Sequence, residues 1–332
     1  MNTFLTIVIP TYNRPDQLRD VLNKLQLQTN QHYEIIISNN ASNYDVDKLV
    51  SEFSLGFTSK ITVINKRINV GMALNIIDSF SLFKSKWLWI LSDDEYVRED
   101  AVDTIYKTIT EQPNVGCFNF TLSEKFKSWN DCVEIRSIKD LINIYGKDKS
   151  LHGDLIFISN KIFNIDRIRE YMGDAFKYVY TQISITIIIE RMLEESVPYV
   201  IINKRIVDYN STSPRSWRIY EIVLASRTLS DVKFSVPKNT RKELLYILSF
   251  DITYVYYLYF VEGTEIKNEK YFFDQLYNGL YKYILPIDKR LLLKVVSQFS
   301  KSSIGYELIR AFFKFRYSDS LLKKVIKKIL RK

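Results

Sequence analysis

Apolar residues in the first 120 positions of this chain follow two spacings. Short runs in which nearly every residue is apolar, Leu5–Ile9, Ile35–Ile37, Ile61–Ile64, Trp87–Leu91 and Val115–Phe120, predict strands buried on both faces. Between them the spacing becomes helical: Leu18, Val21, Leu22 and Leu25 follow Pro15, Leu74, Ile77 and Leu82 follow Gly71, and Val102, Ile105 and Ile109 follow the fourth run. Pro15 suits a first helical position, where its missing N–H costs nothing. Strands separated by helices in this order predict an α/β fold, a mostly parallel Rossmann-like sheet with helices on both faces. From about Pro214 the pattern becomes long apolar helical stretches broken at Gly263, Gly279, Pro286 and Gly305. The expected division is therefore a domain over 1–213 and a helical C-terminal region over 214–332. Within the latter, Leu244–Val261 is long enough to approach a membrane span. Its central Asp251 and five tyrosines make a lipid-exposed span costly, so a buried or interfacial helix is expected.

In open parallel sheets, ligands bind outside the carboxyl ends of the strands. Four polar, turn-forming clusters stand at those ends here: Pro10 to Arg14, Ser38 to Ser42, Asn65 to Gly71, and Ser92 to Glu95. One such cluster is ordinary turn chemistry; four on one edge point to a shared polar ligand. The last holds three consecutive carboxylates, Asp93, Asp94 and Glu95. Like charges that close repel unless a cation sits between them, and a hard divalent ion with diphosphate oxygens is the simplest candidate. A competing local reading is that Ser92 and Glu95 form an S-x-x-E capping box opening a helix.

The segments Ile7–Arg14, Ile37–Ser42, Asn69–Gly71 and Asp93–Glu95 resemble, in order and spacing, the motifs of the family 2 glycosyltransferases of the GT-A fold. The likeness covers about residues 4 to 120 and continues more weakly to about residue 215. The Ser-Asn-Asn-Ala-Ser form at Ser38–Ser42 and the run Asp208–Ser213 resemble bacterial enzymes that build surface polysaccharides such as O-antigen and capsule, abequosyltransferase-like members included. The resemblance implies transfer of a sugar from a nucleotide diphosphate donor to a glycan or lipid-linked glycan acceptor. It places the nucleotide on Pro10, Thr11, Tyr12 and Arg14, with Asn39, Asn40, Asn69, Gly71 and Asp93 completing the site. It places Mn²⁺ or Mg²⁺ on Asp94, with Glu95 as a further carboxylate. Asn39 departs from the commoner aspartate, and because an amide both donates and accepts it could read uracil or cytosine. Many inverting relatives carry an acidic base just ahead of a helix in the second half of the domain, where this chain reads Tyr178 to Gln182 without a carboxylate. Asp174 and Asp154 are the remaining base candidates.

Composition narrows the setting. Hydrophobic residues make up 46% of the 332, and 9 Gly and 7 Pro are too few for a linker-rich or fibrous chain. Cys117 and Cys132 form neither a disulfide framework nor a metal-ligand spacing, which favours a reducing cytoplasm, and the residues before Pro10 do not read as a signal peptide. The net charge of +9 is concentrated at one end: residues 312–332 hold eight Lys or Arg against one Asp. There Leu321, Leu322, Val325, Ile326, Ile329 and Leu330 recur at helical spacing beside lysines, which predicts a basic amphipathic helix at an anionic membrane. The expected location is peripheral to the inner face of the cell membrane. Charge confined to one tail does not favour nucleic acid as a partner. Two other functions fit the same residues, a nucleotidyltransferase on a related sheet and a catalytically silent GT-A scaffold. The first lacks the Gly-rich phosphate cradle such chemistry uses.

Overall fold

The computed structural model describes residues 5–121, 131–146, 151–208, 227–249, 251–262 and 272–317. The chain divides into two compact units, Met1–Trp217 and Arg218–Lys332.

The first unit is built on an eight-stranded sheet. Its strands are β1 (Leu5–Thr11), β2 (Tyr33–Asn39), β3 (Ile61–Asn65), β4 (Trp87–Ile90), β6 (Cys117–Phe120), β7 (Cys132–Ile135), β8 (Lys161–Asn164) and β9 (Tyr199–Ile202). A separate two-stranded ribbon pairs β5 (Tyr96–Val97) with β10 (Val207–Asp208). The order across the sheet is β3-β2-β1-β4-β8-β6-β9-β7. The neighbours β3, β2, β1 and β4 run parallel, as the alternating pattern predicts, and β6 and β9 are parallel as well. The sheet is nonetheless mixed, because β8 runs antiparallel between β4 and β6, and β7 runs antiparallel to β9. Strand five of the sequence pattern is thus not the neighbour of strand four.

Burial explains the elements. Strands β1, β2 and β4 carry near-continuous apolar runs because helices cover both faces. Helix α1 (Pro15–Gln26) buries Leu18, Val21, Leu22 and Leu25, each contributing about 1.5–3 kcal/mol relative to exposure. Its first residue is Pro15, which leaves Arg14 at the N-cap with its side chain directed elsewhere. The helix Ala101–Glu111 buries Val102, Ile105 and Ile109 as its pattern predicts, whereas the helix Met72–Asp78 buries Ala73, Asn75 and Ile77, so that of its predicted face only Ile77 is buried, Leu74 is half-buried and Leu82 lies past the helix end. No helix opens at Ser92: the segment from Ser92 to Glu95 turns directly into β5, and the next helix begins at Ala101. The capping-box signal is overridden by one tertiary and one local bond: the Ser92 amide donates to Ser159 Oγ at 3.0 Å and the Ser92 hydroxyl to Asp94 Oδ1 at 2.6 Å.

The second unit is helical and rich in stacked rings. Tyr256, Phe260, Phe273 and Phe313 are buried together, with Phe260 stacked on Phe273 at 5.2 Å and on Phe313 at 5.2 Å. The stretch Lys238–Val261 is long and apolar enough to cross a membrane by length and composition. It is interrupted at Ser249, which is extended, so that helices Lys238–Leu248 and Ile252–Tyr257 are separate and turn Leu244, Leu248, Ile252 and Tyr256 into the unit's own core. Of the expected breaks, Pro286 caps the helix Ile287–Phe299, and Gly279 has non-helical dihedrals inside Tyr277–Tyr281. Gly305 does not break a helix. It lies inside Ser303–Tyr317, where an added Cβ would meet the Phe299 carbonyl oxygen at 2.2 Å. Gly263, the run from Tyr209 to Ser213, and the amphipathic tail from Leu321 lie outside the described residues.

Candidate active site

Register builds the site. Thr11, Asn39 and Asn65 are paired across β1, β2 and β3, so three strands end level. Val8 is paired with Ile90 across β1 and β4, which brings Asp93, three residues past Ile90, level with Thr11, three past Val8. Thr11 Oγ1 accordingly donates to Asp93 Oδ2 at 2.7 Å.

The N-cap residue of α1 closes the arrangement. Arg14 Nη1 donates to Asp93 Oδ1 at 2.8 Å, and Nη2 lies 2.8 Å from Asp94 Oδ2. One planar guanidinium thus spans two consecutive carboxylates, the geometry for which arginine's fork is suited. The cation that the repulsion between these carboxylates demands is present within the protein. Burial pushes the Asp93 carboxyl up to about 6 from its ordinary 3.8, although Arg14 and Thr11 pull it down. For Arg14, burial pulls the guanidinium down, but Asp93 and Asp94 together hold it above its ordinary value. Asp93 is nearly closed off from solvent, whereas the Asp94 side chain is 22% exposed.

The neighbouring loops are stapled to one another. The Asn40 amide N–H donates to the Thr11 carbonyl at 2.9 Å, Asn13 Oδ1 accepts from the Asn43 N–H at 2.7 Å, and Asn13 takes a left-handed φ of 54°. Asn39 Nδ2 donates to Asn65 Oδ1 at 2.8 Å while its Oδ1 accepts from the Ser42 N–H at 3.0 Å. Both ends of the Asn39 amide are therefore engaged between the loops, each with one further bond left to make. Asn40 ties the third loop down: its Nδ2 donates to Asn69 Oδ1 at 2.8 Å and its Oδ1 accepts from the Val70 N–H at 2.9 Å. Asn69 Oδ1 also accepts from the Gly71 N–H at 2.8 Å. Gly71 has φ +87°, and an added Cβ would meet nothing within 4 Å, so glycine serves the backbone conformation there and not a close approach. Pro10 is the next-to-last residue of β1, and Tyr12, just beyond the strand, is 42% exposed.

One contributor, Tyr44, escapes the sequence patterns, and Ser92, read there as a helix cap, takes another role. Tyr44, four residues past Asn40, has a buried hydroxyl with no hydrogen bond of ordinary geometry, yet it stands beside Thr11, Ser42 and Asp93, and burial pushes its pKa up. Ser92 holds Asp94 in place. A cleft of about 190 Å³ lies against the carboxylates, lined by Gln17, Asp20, Asn23 and Lys24 of α1 together with Asp94, Glu95 and Tyr96.

Asp94 and Glu95 offer carboxylate oxygens, hard donors suited to Mg²⁺ or Mn²⁺ when a diphosphate supplies further oxygens. No group of three or more candidate ligand side chains gathers among the described residues. The donor set fits a divalent ion that takes one or two ligands from the chain and the remainder from its substrate and water.

The base candidates are held by protein partners. Asp154, on α7 (His152–Ile156), is buried and accepts from Asn119 Nδ2 at 2.6 Å, Thr121 Oγ1 at 3.1 Å and Asn160 Nδ2 at 3.2 Å. Lys161 Nζ donates to its carbonyl at 2.9 Å, and burial pulls that lysine down to about 8. With its oxygens taken by three side chains, Asp154 serves as a structural pin between β6 and β8. Asp174, on α9 (Met172–Lys177), pairs with Arg191 Nε at 2.5 Å on α10 (Ser184–Glu194). The segment ahead of α10 ends at Gln182, which has a left-handed φ of 63°.

Comparison with known proteins gives a family for the first part of the chain and a likeness of fold. The glycosyl transferase family 2 model matches residues 6–163. Abequosyltransferase RfbV of Salmonella typhimurium is 22% identical over 201 residues, 54% of this chain and 60% of that protein. An uncharacterized glycosyltransferase of Haemophilus influenzae is 30% identical over 112 residues, 34% of this chain and 36% of that protein. The chain thus spans less than two thirds of the length of these curated relatives. Among solved structures, S. aureus TarS residues 1–349 superimpose with a TM-score of 0.60 at 9% identity, covering 96% of this chain and 93% of that one, a likeness of fold. TarS has also been solved with UDP and with UDP-GlcNAc. Residues 6–163 of this chain are a glycosyl transferase family 2 domain, carried on the GT-A fold.

Proposed function

We propose that this chain is a glycosyltransferase that moves a sugar from a nucleotide diphosphate donor to a glycan acceptor, lipid-linked, in the synthesis of a bacterial surface polysaccharide. The observation that carries the reading is the meeting of Thr11, Arg14, Asp93 and Asp94 at the carboxyl edge of β1 and β4, where an α/β sheet binds its ligand. The family domain and the relative named abequosyltransferase support sugar transfer, and the surface glycan as product rests on the motif resemblance at Ser38–Ser42.

In this reading exposed Tyr12 packs on the base or ribose, and Asp93, held by Thr11 and Arg14, accepts from ribose hydroxyls. Asp94 and Glu95 hold Mn²⁺ or Mg²⁺, which when bound neutralises charge on the departing nucleoside diphosphate. Arg14 offers a second cationic group within reach of the same phosphates. The basic amphipathic sequence from Leu321 to Lys332 supports a location at the inner membrane face, where lipid-linked acceptors reside.

A silent GT-A scaffold is the second reading, favoured by the protein partners that occupy both Asp154 and Asp174. Calorimetric titration with UDP, CDP, GDP and TDP, with and without Mn²⁺, tests the donor site. Binding of one diphosphate that strengthens with Mn²⁺ is expected, and failure of all four by folded protein refutes it. Release of that diphosphate from its sugar conjugate, only when glycan acceptor is added, separates the transferase from the scaffold.

A further inference from the structure

Two consecutive helices of the second unit turn large apolar side chains outward. On the helix Ile287–Phe299, Ile287, Leu291, Val295 and Phe299 recur every four residues and are 67%, 57%, 46% and 47% exposed, while Leu293 and Val296 face the core. On the helix Ser303–Tyr317, Ile304, Leu308, Phe312 and Phe315 are 79%, 59%, 48% and 43% exposed, and Phe313 faces inward. The two helices pack on one another. A single exposed leucine is ordinary, but an outward stripe kept over three turns on each of two helices marks an interaction surface.

Charge selects the partner. Residues 282–317 contain eight Lys or Arg against Asp288 and Glu307 alone. Lys294 flanks the first stripe, Lys314 and Arg316 the second, and all three are exposed. Apolar side chains bordered by long cationic ones suit the boundary between headgroups and acyl chains: the apolar part enters, and the ammonium and guanidinium groups meet lipid phosphates. A second copy of the same face would bring two net positive surfaces together. We propose that this two-helix face docks on the headgroup region of an anionic bilayer. It rests on the membrane-side location proposed above and gives that location a structured contact, separate from the tail.

The test is co-sedimentation of the full chain with vesicles of phosphatidylglycerol and phosphatidylcholine, against phosphatidylcholine alone. Two double variants are compared with wild type, Leu308→Asp with Phe312→Asp, and Leu291→Asp with Val295→Asp. These positions are exposed, so the fold is expected to survive, as circular dichroism will check; should one pair misfold, the other decides. Wild type should bind the anionic vesicles and each double variant at least tenfold more weakly, with nucleotide titration unchanged. A chain lacking residues 318–332 should retain part of the binding. The proposal falls on any of three results: variants that bind as wild type does, equal binding to neutral vesicles, or a wild-type dimer that the variants convert to monomer with vesicle binding intact. Loss of nucleotide binding in wild type would overturn the donor-site reading and leave this one standing.

Discussion

Asp93→Asn isolates what burial does to the candidate site. The folded carboxyl is pushed up to about 6 by burial, which outweighs Arg14 and Thr11, whereas in the unfolded chain it returns to its ordinary 3.8. The folded state therefore holds more protons between these values, and its stability is full below about pH 4 and falls as pH rises through about 6. At about 1.4 kcal/mol per pH unit, the gap is worth about 3 kcal/mol. Asparagine keeps the shape, can accept from Arg14 and donate to the Thr11 hydroxyl, and does not titrate. Between pH 4 and pH 7 the wild type should thus lose about 2.4 kcal/mol relative to the variant, the rest of the gap lying mainly below pH 4. Trp87 and Trp89 are buried in the first unit beside the site, so urea unfolding followed by tryptophan fluorescence follows that unit. A difference that stays constant across the window refutes the titration. A wild type that gains stability with rising pH refutes the sign, and shows Arg14 outweighing burial.

Other substitutions probe single links. Asp94→Asn, at a partly exposed position, should leave the unfolding midpoint within about 0.5 kcal/mol of wild type and remove the gain in diphosphate affinity caused by Mn²⁺; calorimetry with the preferred diphosphate checks it. Glu190, on α10, is fully buried with no hydrogen bond to either carboxylate oxygen, and burial pushes its carboxyl well up. Glu190→Leu should stabilise the first unit by about 1–3 kcal/mol. Because the folded group is held protonated, the gain should be larger at pH 8 than at pH 5, and urea melts at both values decide. Asp154→Asn disrupts a buried carboxylate that accepts from three side chains and should cost about 2–3 kcal/mol. Asp174→Asn, at a pair on the rim of its helices, should cost less than about 1 kcal/mol in the same melts.

The parallel half of the sheet was legible because of its physics. Strands β1, β2 and β4 are covered on both faces, so local sequence alone carries the signal as unbroken apolar runs with turn residues at their ends, whereas β3, at the sheet edge, has no fully buried residue and is not the doubly covered strand its apolar run predicts. The other half was not. Strand β8 reads Lys-Ile-Phe-Asn and is wholly buried, its lysine turned onto the Asp154 and Phe157 carbonyls. No periodicity announces a lysine inside a core, nor an antiparallel strand inserted between β4 and β6. Ser92 to Glu95 misled for a related reason: the local capping signal was correct as chemistry but lost to Ser159, 67 residues away. The order of the polar loops was readable, and the bonds that staple Asn39, Asn40 and Asn69 to one another were not, because those side chains could equally have faced a ligand.

Repulsion between adjacent carboxylates correctly demands a cation at Asp93 and Asp94, yet charge alone does not say which cation. The fold supplies one from 79 residues away, and supplies it unequally. Asp93 is buried and holds both Thr11 and Arg14, so releasing it would leave a desolvated charge behind. Asp94 is more open and meets Arg14 through one oxygen while Ser92 holds the other. A ligand arriving with its own cation can compete for the Asp94 oxygen without disturbing Asp93. In the proposed reading the arm of Arg14 so released is available to the negative charge that such a ligand carries. The two aspartates are therefore different groups: Asp93 fixes the guanidinium, and Asp94 is the position at which it can be exchanged.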